Sequence, residues 1–358
     1  MKPVSGHLEI TDKGFGFLRD IGNNFRPDPK DSFVPADRIR RWRLPEGVFI
    51  EGDGEKGTGK NRNRKLAAVR TINGLSPGQY GDIGLLQDQV SVHPSESFVL
   101  TQDTQDLMGR TLDMIVPIGR GQRGLIVSPP KAGKTTILKH MAESLAMNHP
   151  ETEVLVLLVD ERPEEVTDFK RGLQKATVLF SSSDQSLAQH MRMTRLAMNT
   201  AMRVAETAKD AVVFIDSLTR MARAFNAKTR SHGRTLSGGL AATAMEIPRK
   251  IFGAARNVEN GGSLTIIASI LVDTGSRMDD IIFQEFKGTG NMELVLSRAC
   301  AEQRIWPAVN IRASGTRNEQ LLLDKKAYDE IVQIRRTLAR EDETTAMSAL
   351  LDYLDRNG

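Results

Sequence analysis

The chain has 358 residues, 39% of them hydrophobic and 26% charged, with a formal net charge of +4 and a pI near 9.1. That is the composition of a soluble protein of two or three domains with sizeable cores, and its basic lean permits a polyanionic partner. A single cysteine, Cys300, excludes an internal disulfide and fits a reducing cytoplasm, while no run reaches the ~18 apolar residues that a membrane helix needs. The start, Met1-Lys-Pro-Val-Ser-Gly-His-Leu-Glu9, has no apolar core of signal-peptide length.

Residues 1–73 read as a small all-β unit. Phe15, Phe17, Phe25, Phe33, Trp42 and Phe49 concentrate there, and short alternating runs such as His7–Ile10 and Phe15–Leu18 have strand period. A Gly-rich, charged stretch from Glu51 to Lys65 reads as an exposed hairpin tip. In Gly14-Phe15-Gly16-Phe17-Leu18-Arg19 the two aromatics fall on one strand face, where bases can stack, and Gly16 leaves room for a base. Phe pairs on strands usually fill a core; glycine on both sides favours a binding face instead. Arg19 and the Arg38–Arg43 cluster would hold phosphates. From Arg38 to Arg70 ten Lys/Arg stand against four Asp/Glu, a polyanion-facing balance. The expected unit is an OB-type, cold-shock-like RNA platform. Residues 74–106 form a connector with Gly74, Pro77, Gly78, Gly81 and His93-Pro94.

From residue 107 to 358 the pattern becomes α/β. Strand-like runs at Leu125–Val127, Val154–Val159, Thr177–Phe180, Ala211–Ile215 and Leu264–Leu271 alternate with helical runs at 135–148, 164–174, 186–208 and 240–255. This predicts a largely parallel sheet covered on both faces. The tail from Asp324 to Arg356 reads as two charged helices.

Within that unit, Gly124-Leu-Ile-Val-Ser-Pro-Pro-Lys-Ala-Gly-Lys-Thr-Thr136 has the strand, phosphate-sized turn and helix start of a P-loop. Lys131, Ala132, Gly133, Lys134, Thr135 and Thr136 make the cradle, where backbone N–H groups and the helix end receive phosphate oxygens. Lys134 reaches the β/γ phosphates and Thr135 ligates Mg²⁺. Ser128 stands where this pattern usually has Gly. Val154–Val159 leads into Asp160-Glu161-Arg162-Pro163, and a carboxylate at that strand end, Glu161, can activate the attacking water. Val212-Val-Phe-Ile-Asp216 is a Walker-B pattern in which Asp216 holds the metal or its water. Arg304 and Arg317 are candidates for an arginine supplied across a subunit boundary, against the commoner role of surface solvation.

These motifs together resemble the bacterial Rho family of ring-shaped, RecA-type hexameric RNA helicases. The likeness runs from about Gly6 to Gly358 through Gly14–Leu18, Ser128–Thr135, Asp160–Val166, Gly253-Ala-Ala-Arg-Asn257, Glu285-Phe-Lys-Gly-Thr-Gly-Asn291 and Ser314-Gly-Thr-Arg317. A small residue at the Ser128 position is usual in that family. The resemblance implies a RecA-like P-loop ATPase core behind the N-terminal OB-fold, using ATP and Mg²⁺. It implies Lys131 as a further active-site lysine, Glu161 as catalytic base and Arg162 beside it. It implies Arg317 as the finger reaching a neighbour's ATP, Arg304 as a second arginine at that boundary, and Trp306 as the aromatic stacked on adenine. Asp31 and Phe33 match base-pocket residues. The strand where the family shows an acid and a Tyr reads Asn61-Arg-Asn-Arg64 here. Asn226–Gly239, with Arg234 and Ser237, resembles one channel loop, and Lys287-Gly288 begins the other. The helical subdomain that precedes the OB unit in the family is not represented.

The implied partners are single-stranded RNA, five more copies of the chain in a homohexamer, and the RNA polymerase elongation complex, with no membrane. The implied activity is RNA-dependent ATP hydrolysis that drives 5′→3′ movement and terminates transcription. Two rivals are a rotary-ATPase-like ring subunit and a nucleotide-switched RNA-binding protein without translocation. Phe15-Gly-Phe17 and the Arg-rich OB region argue against the first. Glu161, Asp216 and Arg317 argue against the second.

Overall fold

The computed structural model describes residues 1–57, 63–229, 241 and 243–357. Five strands come first: β1 Lys2–Ile10, β2 Gly16–Arg19, β3 Ser32–Val34, β4 Phe49–Glu55 and β5 Lys65–Ile72. They close into a barrel in the order β1-β2-β3-β5-β4. Closure leaves no free edge, so the short strands need no further sheet partner. Val4, Leu8, Leu18, Ile50, Leu66 and Ile72 fill the interior. Gly16 serves that interior: a Cβ there would lie 2.6 Å from the Glu9 carbonyl and 2.7 Å from Leu8 Cδ1. The expectation that Gly16 opens space for a base is therefore corrected. It lets β1 and β2 approach. A short basic helix, α1 Ala36–Arg41, follows β3.

The connector contains α2 Pro77–Gly81 and two-residue strands β6 Ser91–Val92 and β7 Ser97–Phe98. The α/β unit then runs α3 Leu107–Ile115, β8 Ile118–Gly119, β9 Arg123–Ser128, α4 Lys134–Asn148, β10 Glu153–Glu161, α5 Pro163–Gly172, β11 Thr177–Ser182, α6 Leu187–Glu206 and β12 Asp210–Asp216. It continues with α7 Leu218–Thr229, α8 Glu246–Phe252, β13 Arg256–Val258, β14 Ser263–Leu271, α9 Arg277–Phe286, β15 Met292–Val295, α10 Arg298–Glu302, β16 Gly315–Thr316, α11 Lys325–Leu338 and α12 Glu343–Arg356. The main sheet has the order β11-β10-β12-β14-β9-β15-β16, parallel except for β16, with β13 paired to β14 and β6 to β13.

Strand β10 shows why a continuous apolar run belongs there. Val154, Val156 and Leu158 enter the cluster with α4, α5 and α12; Leu155, Leu157 and Val159 enter the one with α6, α7 and α9. Both faces are dry, and each such side chain contributes about 1.5–3 kcal/mol of burial. A charge at Leu157 would break this packing. The expected helix over 240–255 is shorter than expected. Pro248 lacks an N–H and is tolerated only in a first turn, so the helix starts at Glu246, and Gly253 caps it.

The barrel is tied to α6. Glu9 accepts from Arg192 Nη2 at 2.7 Å, and the same nitrogen donates to the Phe25 carbonyl at 2.7 Å. Asn24 exchanges two 2.9 Å hydrogen bonds with the Phe180 backbone, and Asn199 donates to Glu46 at 2.8 Å. Phe25, fully buried, packs with Leu196 and Leu157 rather than inside the barrel. No helix among the described residues is long and apolar enough to cross a membrane.

Candidate nucleotide and RNA sites

The nucleotide pocket lies at the C-terminal ends of β9, β10 and β12, the crevice side of an open α/β sheet. It encloses about 270 Å³ and is lined by residues 128–136 together with Glu161, Glu165, Asp216 and Arg220. The left-handed backbone of Lys131 (φ 65°) and Gly133 (φ 84°) turns the chain around it. Gly133 is required a second way, because a Cβ there would come within 2.7 Å of the Trp306 ring. Trp306 thus overlies the P-loop and is 41% exposed, a free aromatic face beside the phosphate cradle. Lys131 and Thr136 are exposed, Thr135 is half-buried and Ala132 is buried.

Lys134 is ion-paired to both oxygens of Asp216, which is fully buried and also accepts from Ser269 Oγ at 2.8 Å. A buried carboxylate needs such partners to stay charged. Phosphate oxygens entering the cradle would compete with Asp216 for Lys134.

Glu161 reaches the pocket through a bulge. The β10–β11 register shifts between Val159 and Glu161, and Asp160 takes φ 56°, which Asp tolerates better than most residues. Glu161 turns inward as a result, 1% exposed. It accepts from the Arg162 backbone N–H at 3.0 Å and from Arg220 Nη2 at 2.9 Å, while Arg220 Nη1 donates to the Asp160 carbonyl at 2.6 Å. Burial pushes the Glu161 carboxyl above its ordinary value, the Asp216 charge adds to this, and Arg220 opposes it. A carboxyl raised in this way is a better base for a water proton. The Arg162 side chain points to solvent.

Arg317 is not in this pocket. It follows β16, whose Thr316 pairs with Met292, which pairs with Gly124 near the start of β9. The P-loop begins at the other end of β9, roughly 13 Å along the strand. Arg304 sits on the opposite side from Arg317, in the exposed turn after α10 that leads to Trp306 and the P-loop. Arg304 and Arg317 of one chain therefore lie at different ends of the sheet.

On the barrel, Phe17 and Phe33 are directly paired across β2 and β3. With Phe15 they form a half-buried cluster with ring centroids 5.4–5.9 Å apart. Arg19 corrects its expected role. It is 8% exposed, with Nε 2.6 Å from Glu9, Nη1 2.5 Å from Asp31 and its guanidinium 4.7 Å from the Phe17 ring centroid. A guanidinium so enclosed supports the platform from below and is not offered to phosphate. Asp31, also buried, is committed to Arg19 and to the Asp28 N–H. Arg40, Arg41 and Arg43 are exposed and remain candidates for phosphate contacts. Asn63 donates to the Asp31 carbonyl at 3.0 Å, and the Arg64 carbonyl accepts from Phe33 at 2.7 Å, so these two residues border the platform, although they precede β5 and are not themselves strand as expected. Asn61, Arg62, Arg234 and Ser237 lie outside the described residues. Lys287 and Gly288 are exposed, at the end of α9 and on the sheet edge that carries Arg317.

Residues 4–78 match the family described as Rho termination factor, RNA-binding domain, and residues 109–316 match the ATP synthase alpha/beta family, nucleotide-binding domain. A transcription termination factor Rho of Aquifex aeolicus is 45% identical over 360 residues, 99% of this chain and 82% of that protein. The chain belongs to the transcription termination factor Rho family. The Rho of Bacillus subtilis is 46% identical over 94% of this chain and 78% of its own length. Among solved structures, an ATPase from a type III secretion system aligns over 70% of each chain with a TM-score of 0.61 at 23% identity, a likeness of fold alone. The nucleotide-binding half is thus shared with rotary ATPases, while the barrel and the full-length relatives separate this chain from them.

Reading the sequence missed Arg220, Ser269 and Arg192. Arg220 had a signal: it lies one helical turn beyond Asp216, where the first turn of α7 must face the same crevice. The other two act across long sequence separations that no local pattern marks.

Proposed function

We propose that this protein is an ATP-driven translocase on single-stranded RNA that terminates transcription, assembled as a homohexameric ring in the cytoplasm. RNA stacks on Phe15, Phe17 and Phe33 while Arg40, Arg41 and Arg43 hold phosphates. It threads the ring past Arg234, Ser237, Lys287 and Gly288. Hydrolysis at subunit boundaries drives 5′→3′ movement toward the RNA polymerase elongation complex.

Lys131 and Lys134 hold the ATP phosphates, Trp306 stacks on adenine and Glu161 takes the proton of the attacking water. Thr135 and Asp216 would hold Mg²⁺: a hydroxyl and a carboxylate line one pocket with the phosphate cradle, a donor set that suits an ion which keeps phosphate and water oxygens. Bound there, the ion neutralises charge building on the phosphates.

The observation that carries this reading is the place of Arg317, on the sheet edge away from its own P-loop. A nucleotide held by one copy is met by the arginine of the next, as head-to-tail contacts between copies allow. Arg317→Ala should retain ATP binding at its own P-loop and lose RNA-stimulated hydrolysis by roughly 10³-fold or more. Unchanged hydrolysis in that variant would contradict the shared site.

A further inference from the structure

A cavity of about 840 Å³ lies at the N-terminal edge of the sheet. Arg123, Arg256 and Arg317 all line it, and no Asp or Glu does. Arg123 Nε is buried without a hydrogen-bond partner. Arg256 donates only to the carbonyls of Ala254, at 3.1 Å, and Leu86, at 3.2 Å. Three arginines thus share one cavity wall with no acidic side chain in the lining, a surface that favours an anionic group. Val92 on its wall is 38% exposed, so the occupant also covers apolar surface.

Its position names the occupant. Arg317 is part of the lining. Whatever presents a nucleotide to Arg317 also comes against this cavity. In the neighbouring copy, the acidic segment that borders the nucleotide pocket is the first turn of α5, just after Glu161. That turn holds Glu164, which is exposed and makes no ion pair among the described residues, and Glu165, which lines the nucleotide pocket. We infer that this arginine-lined cavity receives the acidic first turn of α5 from the next copy of the chain, with Arg123 facing Glu164. The inference rests on the ring reading above and adds the contact that sets the register of one subunit on the next. It would also couple assembly to catalysis, because the helix that docks begins two residues from Glu161.

The test is a charge swap read by sedimentation velocity and by RNA-stimulated ATPase. Glu164→Arg, a change at an exposed position, should weaken subunit association by roughly tenfold or more, as like charges brought together cost several kcal/mol. Arg123→Glu should do the same. The double variant should recover association to within a few-fold of the parent. Glu164→Arg sedimenting like the parent overturns the assignment, and so does a double variant no better than the single ones. Circular dichroism of each variant guards against misfolding, and Glu164→Arg alone decides the matter if Arg123→Glu does not fold. A parent protein that forms no ring at all defeats the ring reading; a ring indifferent to these charges defeats only this contact.

Discussion

Arg220 holds Glu161 from inside the fold: its Nη2 lies 2.9 Å from the Glu161 carboxylate while its Nη1 binds the Asp160 carbonyl at 2.6 Å. One guanidinium thus fixes both the bulge that turns Glu161 inward and the charge that Glu161 carries. Removing it with Arg220→Ala leaves burial and Asp216 opposed only by the Arg162 N–H. The acid limb of the ATPase pH profile should move to higher pH, and the rate at neutral pH should fall by roughly 10- to 100-fold, part of the range that a positioned base supplies. A profile unchanged in position would remove Arg220 from this role.

Glu161→Gln keeps the shape and loses the base. Hydrolysis should drop by roughly 10²- to 10⁴-fold with nucleotide binding retained, measured by single-turnover hydrolysis beside equilibrium binding. Stability should change in the other direction. A carboxyl whose folded pKa is raised favours folding below its unfolded pKa, and that contribution is lost as pH rises through the folded pKa. That contribution fades as pH rises, so Glu161→Gln should melt at or above the parent temperature at neutral pH. Melting clearly below the parent at neutral pH would contradict this.

Glu9 titrates with the opposite sign. Burial alone would push its carboxyl up, but Arg192 and Arg19 outweigh burial and hold it below its ordinary value. A depressed carboxyl stabilises the fold above its unfolded pKa and loses that contribution as pH falls through the folded one. Glu9 joins barrel and α6, so the barrel should loosen from the core below about pH 4, near the ordinary Glu value. Limited proteolysis between the barrel and α3 at falling pH tests this. Glu9→Gln should show the same loosening already at neutral pH.

Phe17→Ala should weaken RNA binding by about 1–3 kcal/mol with little change in the slope of affinity against salt, since a stacked ring contributes no charge. Arg41→Ala should lower that slope and leave base preference alone. Fluorescence anisotropy with a short single-stranded RNA at several salt concentrations separates the two. Arg19→Ala is expected to act differently from both. It leaves Glu9 and Asp31 buried with less compensation, so it should lower the melting temperature first.

Much of this was legible in the sequence because the signals are local. Strand β10 announced itself through six successive apolar residues, and Lys134, Thr135 and Asp216 through short motifs whose chemistry fixes their spacing. The two tail helices appeared as expected at 325–338 and 343–356. What could not be read depends on three-dimensional closure. Arg19 sits beside the aromatic face in sequence, yet its strand points it under that face against Glu9 and Asp31. Gly16 looked like space for a base and is space for a neighbouring strand. Helix α9 and strand β15 were not anticipated: an amphipathic stretch of ten residues and a strand of four carry weak periodic signals beside the long runs. The separation of Arg304 from Arg317 follows from sheet order, which alternating elements alone do not determine.

The most direct measurement is steady-state ATP hydrolysis with and without single-stranded RNA, compared across homopolymers, for the parent chain and Lys134→Ala. The account predicts strong stimulation by RNA in the parent and none in Lys134→Ala, with RNA binding retained by both. A marked preference for poly(C) would show that the segment Asn63-Arg64 leading into β5 still builds a pyrimidine pocket beside Phe33. Equal hydrolysis with and without RNA would contradict the central claim that the aromatic barrel and the P-loop serve one machine.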